Sequence, residues 1–278
     1  YNGKTTRLAD TWEYDIDNDW WTQRADMPGT VRNAATGFSV GSKGYVTTGY
    51  NPDQKYLSDT WEYNPETNSW RQMDDFKGGA RYYALGFGID NYGYVGTGYN
   101  DNYLKDFYRF DPTAAAGSQW TIVNGFGGQK RQGGTAFVID GKAYVCGGQN
   151  NNSDVSDFWC FDPSAATPWT QLRDIANTSD DDYDDDYTSY GVSFVIDGKA
   201  YLTLGSTAGG SYYSNYWIYD PATDLWEGDD LTAFEGSTRI HAVCFSTGTR
   251  GIVATGGSGS SSYFDDAWEL KPYEYEEE

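Results

Sequence analysis

The segment TAFVIDGKAYVCGG, from Thr135 to Gly148, decides the fold class of this chain. Two short apolar runs flank Asp140-Gly141, a dipeptide that favours the tightest kind of hairpin turn because both turn residues need a positive φ. The segment therefore predicts two antiparallel strands joined by a two-residue turn.

The same hairpin pattern recurs along the chain. Its copies are spaced 49, 50, 57 and 51 residues apart and are anchored at Tyr45, Tyr94, Tyr144, Tyr201 and Ile252. A period of about 50 residues that is rich in short strands is typical of a β-propeller, in which each repeat forms one blade. The spacing therefore predicts an all-β fold of repeated four-stranded antiparallel blades.

Each copy contains the pattern of four strands, which we call a, b, c and d. Strand b ends at a Gly, strand c is aromatic and is followed by a Pro, and Pro fits the turn that joins c to d because it cannot donate to a ladder. Strand d carries a Trp in four copies. Strand a is predicted at residues 35–40, 85–89, 135–139, 192–196 and 242–246, strand c at 60–63, 107–110, 158–161, 216–219 and 267–270, and the strand d residues are Trp70, Trp120, Trp169 and Trp226.

The Gly at the end of strand b, the aromatic strand c and the Trp of strand d resemble the repeats of the kelch family over nearly the whole chain. The Gly-Gly pair of that family is complete only at Gly147-Gly148 and Gly256-Gly257. The chain is most similar in character to extracytoplasmic bacterial kelch proteins, often surface lipoproteins that accompany glycan or nutrient uptake. This resemblance implies an extracytoplasmic location and a place in a cell-envelope complex.

The two ends of the chain are out of phase with the blades. Residues 10–16 match strand c and Trp21 matches the Trp of strand d, whereas the last copy has no strand d. We therefore expect six blades in a single domain over residues 1–278, incomplete at the N-terminus, and we hypothesise that the chain is part of a longer protein. The expected blades are a half blade at 1–24, full blades at 32–73, 81–123, 131–172 and 188–228, and a last blade without its outer strand at 239–272.

The net charge of the chain limits the kinds of molecule that it can bind. It has 41 acidic and 19 basic residues and a formal net charge of −22. Nucleic acid is therefore excluded as a partner, because phosphates are bound by Lys and Arg. No apolar run reaches the ~20 residues that a membrane-spanning helix needs, so no membrane insertion is expected. A protein or glycan ligand fits this composition best.

The three cysteines allow two alternatives for their oxidation state. Cys146 falls on strand b and Cys160 on strand c of the same copy, so a cross-strand disulfide between them is one alternative. Buried free thiols are the other alternative, and it is the one that we favour.

Four Arg residues share one place in the repeat, 13 residues before the anchor residue: Arg32, Arg81, Arg131 and Arg239. We expect them at the face that carries the b–c and d–a loops, where inner strands begin, as a partial ring that binds carboxylates. The position resembles that of pocket Arg residues in kelch domains that bind acidic peptides. Pairing of each Arg with an Asp of a neighbouring blade or with a backbone carbonyl is an equally weighted alternative.

The b–c loops add tyrosines to this face, and we expect Tyr50, Tyr99, Tyr103 and Tyr212 to take part in ligand binding. The fourth copy has Thr188 in place of Arg, preceded by an insertion with six Asp. A solvated loop is the main interpretation of the insertion, and an internal counter-charge for the Arg residues is another. We expect no cofactor or metal, with Ca²⁺ at Asp180, Asp182 and Asp184 as the alternative.

These observations predict a non-catalytic binding or scaffold propeller that recognises a protein segment or a glycan. The alternative is a carbohydrate mutarotase or epimerase of the sialic-acid type, to which the chain is similar at the level of the fold. That reaction would need an acid–base group beside an anion-binding Arg, and His241 with Glu235 would supply it. The single His of the chain excludes a copper radical oxidase, which needs two.

Overall fold

The computed structural model describes residues 7–175, 188–228, 233–259 and 262–271, and the regular structure in these ranges is all β. The chain separates into two compact units, Tyr1–Asn124 and Gly125–Glu278, which are described in turn. No helix in the described ranges has the length and apolar character that crossing a membrane requires.

Unit 1 contains a hairpin and two four-stranded antiparallel blades. The hairpin pairs β1 (Thr11–Asp15) with β2 (Trp20–Arg24). Blade 1 has the order β3-β4-β7-β8, with a small ladder, β5–β6, in its b–c loop, and blade 2 has the order β9-β10-β11-β12. The strands are β3 (Thr36–Val40), β4 (Lys43–Thr47), β5 (Tyr50–Asn51), β6 (Lys55–Tyr56), β7 (Thr60–Asn64), β8 (Ser69–Gln72), β9 (Leu85–Ile89), β10 (Tyr92–Gly96), β11 (Phe107–Phe110) and β12 (Trp120–Val123).

Unit 2 contains three blades. Blades 3 and 4 have four strands each, and blade 5 has three in the order β23-β24-β27. The b–c loops of blades 3 and 5 carry the ladders β15–β16 and β25–β26. The strands are β13 (Thr135–Ile139), β14 (Lys142–Cys146), β15 (Gln149–Asn150), β16 (Ser153–Asp154), β17 (Trp159–Phe161), β18 (Trp169–Gln171), β19 (Val192–Ile196), β20 (Lys199–Thr203), β21 (Trp217–Asp220), β22 (Leu225–Glu227), β23 (Val243–Ser246), β24 (Gly251–Ala254), β25 (Gly257–Ser258), β26 (Ser262–Tyr263) and β27 (Ala267–Leu270).

The fold is an all-β propeller with four-stranded antiparallel blades. The described residues form five blades, so the prediction of six is wrong. The segment expected as a half blade forms the β1–β2 hairpin, a two-stranded sheet of its own among the described residues. Its tryptophans stay open to solvent, with Trp20 exposed to 61% of its area. A c–d sequence pattern specifies the pairing of these two strands, but the inner a and b strands are needed to cover them as a blade.

The aromatic residues of the repeat form the core between successive blades, as predicted. In unit 2, Phe158 and Trp226 are fully buried in one cluster that joins blades 3 and 4, with ring centroids 5.1 Å apart. In unit 1, Phe38 of blade 1 packs edge-on against Phe110 and Trp120 of blade 2. Large flat side chains fill these wedges because each buries an area that smaller residues cannot match.

The Gly that ends strand b allows a close backbone approach, as predicted. At Gly148 φ is +90°, and an added Cβ would lie 2.8 Å from the carbonyl oxygen of Gln132. The approaching backbone is the segment that leads into strand a of the same blade. The amide of Gly148 donates to the carbonyl of Thr188, next to blade 4, at 3.0 Å. This residue therefore joins its own blade to the next one.

The three cysteines are free thiols, and the alternative of a Cys146–Cys160 disulfide is wrong. The register between β14 and β17 places Cys160 opposite Tyr144, which leaves Cys146 two residues away along the ladder. Burial raises the pKa of the Cys146 thiol to about 12, so this group stays protonated and unreactive at neutral pH.

We expect Trp226→Ala to lower the free energy of unfolding by about 3–5 kcal/mol, because it leaves a cavity in a closed core. Trp20→Ala on the exposed hairpin is the matched control and is expected to change it by less than about 1 kcal/mol. Urea denaturation followed by circular dichroism measures both. Equal losses for the two variants would contradict the placement of Trp226 in the core.

Candidate functional site

The four repeated Arg residues are buried, and each forms an ion pair with an Asp of its own blade. In blade 2, Nη1 and Nη2 of Arg81 donate to the two carboxylate oxygens of Asp106 at 2.7 and 2.9 Å. Nη1 also donates to the carbonyl of Thr97 at 2.8 Å, and Nε donates to the carbonyl of Gly79 at 3.2 Å. The other pairs are Arg32–Asp59, Arg131–Asp157 and Arg239–Asp266.

Aromatic groups complete this arrangement. The guanidinium carbon of Arg239 lies 5.4 Å from the ring centroid of Phe234 and 4.2 Å from that of Phe264. Nε1 of Trp268 donates to Asp266 at 2.7 Å. Hydrogen bonding from Arg239 holds the pKa of Asp266 below its usual range, so this carboxylate is ionised at neutral pH. The Arg239–Asp266 pair is therefore a charged, hydrogen-bonded unit within its blade.

These contacts give the Arg residues a structural role. Arg81, Arg131 and Arg239 are each at most 1% exposed, and the fork of the guanidinium is directed at an Asp and at backbone carbonyls. The binding role expected for Arg32, Arg81, Arg131 and Arg239 stays a prediction. The Asp partners carried a signal that the sequence analysis missed, since each precedes an aromatic residue of strand c by two positions.

Unit 1 brings together a group of half-buried tyrosines, which we call the tyrosine patch. The ring of Tyr82 lies at its centre, 5.7 Å from Tyr50, 5.6 Å from Tyr56 and 5.8 Å from Tyr99. Tyr103 packs edge-on against Tyr99 at 5.0 Å. Three of the expected ligand-binding residues therefore lie together. Tyr56 and Tyr82 were missed, although Tyr82 directly follows a repeated Arg.

The backbone holds the tyrosine patch on short ladders. The amide of Tyr50 donates to the carbonyl of Asn33 at 2.8 Å, and that of Tyr99 donates to the carbonyl of Tyr82 at 3.0 Å. The amide of Gly49 in turn donates to the carbonyl of Arg81 at 2.8 Å, which links blades 1 and 2. The patch is therefore a preformed surface, since its rings stand on paired backbone.

Charged and polar groups border the tyrosine patch. The hydroxyl of Tyr56 donates to Asp101 at 2.8 Å, and burial together with this bond raises the pKa of Tyr56. Arg7 lies 5.4 Å from the ring centroid of Tyr50 and donates to Asn33 at 2.6 Å. Aromatic faces with hydrogen-bonding groups at their edge suit a ligand that is partly apolar and partly polar.

Unit 2 has a polar cluster in which Gln132 and Gln149 hold the repeat positions of Tyr82 and Tyr99. The hydroxyl of Tyr190 accepts hydrogen bonds from the side-chain amides of Gln132 and Gln149, at 2.8 and 2.5 Å. The ring of Tyr190 lies edge-on to His241 with centroids 4.6 Å apart. His241 was a candidate from the sequence. Gln132, Gln149 and Tyr190 carry no motif of their own and were not predicted.

The residue two positions after the place of the repeated Arg, which Thr188 holds in blade 4, has a left-handed backbone. In unit 1, φ is +53° at Ala34 and +52° at Tyr83, and in unit 2 it is +61° at Tyr190 and +59° at His241. Their amides link neighbouring blades: that of Tyr83 donates to Ala34 at 3.1 Å, and that of His241 donates to Tyr190 at 3.2 Å. The strained conformation is thus held by hydrogen bonds between blades.

The remaining expected residues are dispersed. Tyr212 accepts a hydrogen bond from the amide of Gly259 at 2.8 Å and so links two b–c loops of unit 2. Glu235 is exposed on the segment before strand β23. Asp180, Asp182 and Asp184 lie outside the described residues, so calcium binding there stays a prediction. Within the described ranges no group of three or more His, Cys, Asp or Glu is placed to hold a metal ion.

We expect Arg81→Ala to lower the free energy of unfolding by about 2–4 kcal/mol, because it leaves the carbonyls of Gly78, Gly79 and Thr97 without this donor and removes the partner of Asp106, whose side chain is 33% exposed. The matched control is Arg24→Ala, which removes an ion pair to Glu13 in which the two side chains are 34% and 45% exposed, and which is expected to leave the free energy of unfolding nearly unchanged. Urea denaturation measures both. A small loss in both variants would show that the buried pair is dispensable for folding.

Comparisons with known proteins agree with the repeat. The kelch motif matches residues 32–77 and 130–172, which contain blades 1 and 3. The N-acetylneuraminate epimerase of Shigella sonnei (strain Ss046) is 32% identical over 104 residues, which are 36% of this chain and 26% of that protein. The matched stretch therefore spans about a quarter of the curated relative.

The fold is also that of a solved structure. The structure of YjhT superimposes with a TM-score of 0.79 and covers 96% of this chain and 89% of its own chain, at 16% sequence identity. This likeness concerns the fold alone. Together with the kelch motifs in blades 1 and 3, it supports the description of this chain as a β-propeller of kelch-type repeats.

Proposed function

We propose that this chain is a non-catalytic binding module that recognises a glycan or an extended protein segment through the tyrosine patch of unit 1. The single observation that carries the proposal is the packing of Tyr50, Tyr56, Tyr82, Tyr99 and Tyr103 against one another on the b–c loop side of blades 1 and 2. Side chains of this kind offer a large contact area at a low cost in conformational entropy.

The chemistry of the patch supports this class of ligand. Tyrosine faces stack on the apolar side of a sugar ring or on peptide side chains, while the phenol groups and Asp101 bind hydroxyl or amide groups. Loops on a rigid scaffold commonly carry such sites. An extracytoplasmic setting and a role in a cell-envelope complex belong to the same proposal, and the strong negative charge of the chain fits a neutral or cationic ligand.

We expect Tyr82→Ala and Tyr99→Ala to weaken ligand binding by at least about tenfold, because each removes an aromatic anchor worth more than about 1.4 kcal/mol. Glycan and peptide arrays identify the ligand of the unmodified protein, and calorimetry with that ligand measures the variants. Tyr63→Ala, on strand β7 outside the patch, is the matched control and should bind normally. Equal binding by all three variants would refute the assignment of the site.

A carbohydrate mutarotase or epimerase of the sialic-acid type is the second candidate function. It is favoured by the partial match to the N-acetylneuraminate epimerase and by the polar cluster in which Tyr190 joins Gln132, Gln149 and His241. An imidazole beside hydrogen-bonding groups can transfer the proton that opening of a sugar ring requires.

The exchange between the anomers of N-acetylneuraminate, followed by NMR, separates the two functions. A non-catalytic module leaves the rate of exchange unchanged, and this is the outcome that we expect. Acceleration that is lost in His241→Ala and retained in Tyr82→Ala would instead establish the enzyme and would assign the reaction to unit 2.

A further inference from the structure

Blade 4 lacks the buried ion pair, and it lacks both partners at once. Thr188 stands 13 residues before its anchor, at the place of the repeated Arg, and Asn215 stands two residues before the strand c aromatic Trp217, at the place of the repeated Asp. A paired guanidinium and carboxylate are thus replaced together by two short neutral groups. The space that the long Arg side chain fills in the other blades is available in this one.

A cavity between blades 3 and 4 lies at this place. Thr188, Leu204, Tyr213, Asn215 and Trp217 are among the residues that line it. Asn215, one of these lining residues, is exposed to solvent.

The position of Thr188 shows which part of the Arg is missing. A Cβ added to Gly134 in blade 3 would lie 3.2 Å from Cδ of Arg131, and a Cβ added to Gly191 in blade 4 would lie 3.2 Å from Oγ1 of Thr188. Both side chains therefore run past the same glycine of the repeat, but threonine ends at its γ atoms. The outer part of the Arg side chain, which includes the guanidinium group, has no counterpart in blade 4.

The groups that bind the guanidinium elsewhere recur around this cavity. In the four other blades the carbonyl 16 residues after the Arg accepts from Nη1, and the residue at that place in blade 4 is Leu204. The carbonyl oxygen of Leu204 would lie 2.9 Å from a Cβ added to Gly191, which is another lining residue.

The aromatic and acceptor groups recur as well. Tyr213 holds the place of Phe264, whose ring lies 4.2 Å from the guanidinium carbon of Arg239 in blade 5. Asn215 holds the repeat position of the Asp and lines the cavity, so its side chain offers an amide oxygen as an acceptor where the other blades offer a carboxylate. A planar cation with several N–H donors fits this combination of carbonyl, amide and aromatic ring better than a compact ammonium group does.

We propose that the cavity between blades 3 and 4 is a binding site for a guanidinium group, supplied either by an arginine side chain of a partner or by a free guanidino compound. The site uses residues of unit 2 only and does not depend on the function proposed for the tyrosine patch. The negative net charge of −22 attracts such cations to the surface.

Isothermal titration calorimetry with N-acetylargininamide tests the proposal. We expect saturable one-to-one binding that guanidinium ions displace, and binding of N-acetyllysinamide that is at least tenfold weaker. Asn215→Asp should tighten binding of N-acetylargininamide about tenfold, because it restores the charged acceptor of the other blades. Asn91→Asp, in an exposed turn, adds the same charge elsewhere and should leave the affinity unchanged.

The double variant Thr188→Arg/Asn215→Asp rebuilds the ion pair and should abolish binding, because its own guanidinium group fills the cavity. Circular dichroism checks that the double variant folds. If the double variant does not fold, the affinity of the single variant Asn215→Asp tests the proposal. An affinity that Asn215→Asp leaves unchanged, or that the folded double variant retains, would overturn the proposal.

A second titration experiment distinguishes the two sources of the guanidinium group. Capped peptides with a central Arg are compared with free arginine and with guanidinium ion. Tighter binding of the peptides identifies an arginine side chain of a partner as the ligand, and equal or tighter binding of free arginine identifies a small molecule. Absence of binding by all three compounds would contradict the site.

Discussion

The buried pair of an Arg before strand a and an Asp before strand c organises one end of the blades that carry it. In blade 2 the guanidinium group of Arg81 binds the carbonyl of Thr97 at the end of strand b, the carboxylate of Asp106 before strand c, and carbonyls of the segment from which Arg81 itself comes. One side chain thus fixes three stretches of chain. Because the b–c loop begins and ends at two of them, the shape of that loop depends on this pair.

The tyrosine patch is a consequence of this arrangement. Tyr82 follows Arg81 directly, and Tyr99 follows the Gly that comes after Thr97, so both stand on backbone that Arg81 holds. Their rings can therefore be packed together before any ligand arrives, which reduces the entropy that binding would have to overcome. The buried ion pair of the blade and the tyrosine patch are two results of one local architecture.

Much of the fold follows from the sequence because the repeat specifies it locally. The predicted bounds of strands Leu85–Ile89 and Thr135–Ile139 agree with the observed ones. An Asp-containing turn between two apolar runs specifies a hairpin without help from distant residues. The number of blades was wrong because residues 11–24 carry a c–d pattern but are not covered by inner strands. The pairing of two neighbouring strands can be deduced from a sequence pattern. The completion of a blade also depends on inner strands, which a pattern in the outer strands does not reveal.

The site was predictable only in part for a similar reason. Tyr50, Tyr99 and Tyr103 were recognised from their loops, but Tyr56 and Tyr82 join them through packing between blades, which no spacing reveals. The Asp partners of the Arg residues could have been found. Arg and Asp occur together in four copies, and both are absent from the copy with Thr188 and Asn215, which is the pattern that a contacting pair leaves in a repeat.

The left-handed residue two positions after the repeated Arg position has a further consequence. The same backbone geometry accommodates Ala34, Tyr83, Gly133, Tyr190 and His241, whose side chains range from none to an imidazole. The conformational cost is met by hydrogen bonds of the main chain, so the side chain is free to vary. This position therefore tolerates different side chains. A substitution here changes the chemistry of the surface, while the hydrogen-bonded main chain beneath it stays the same.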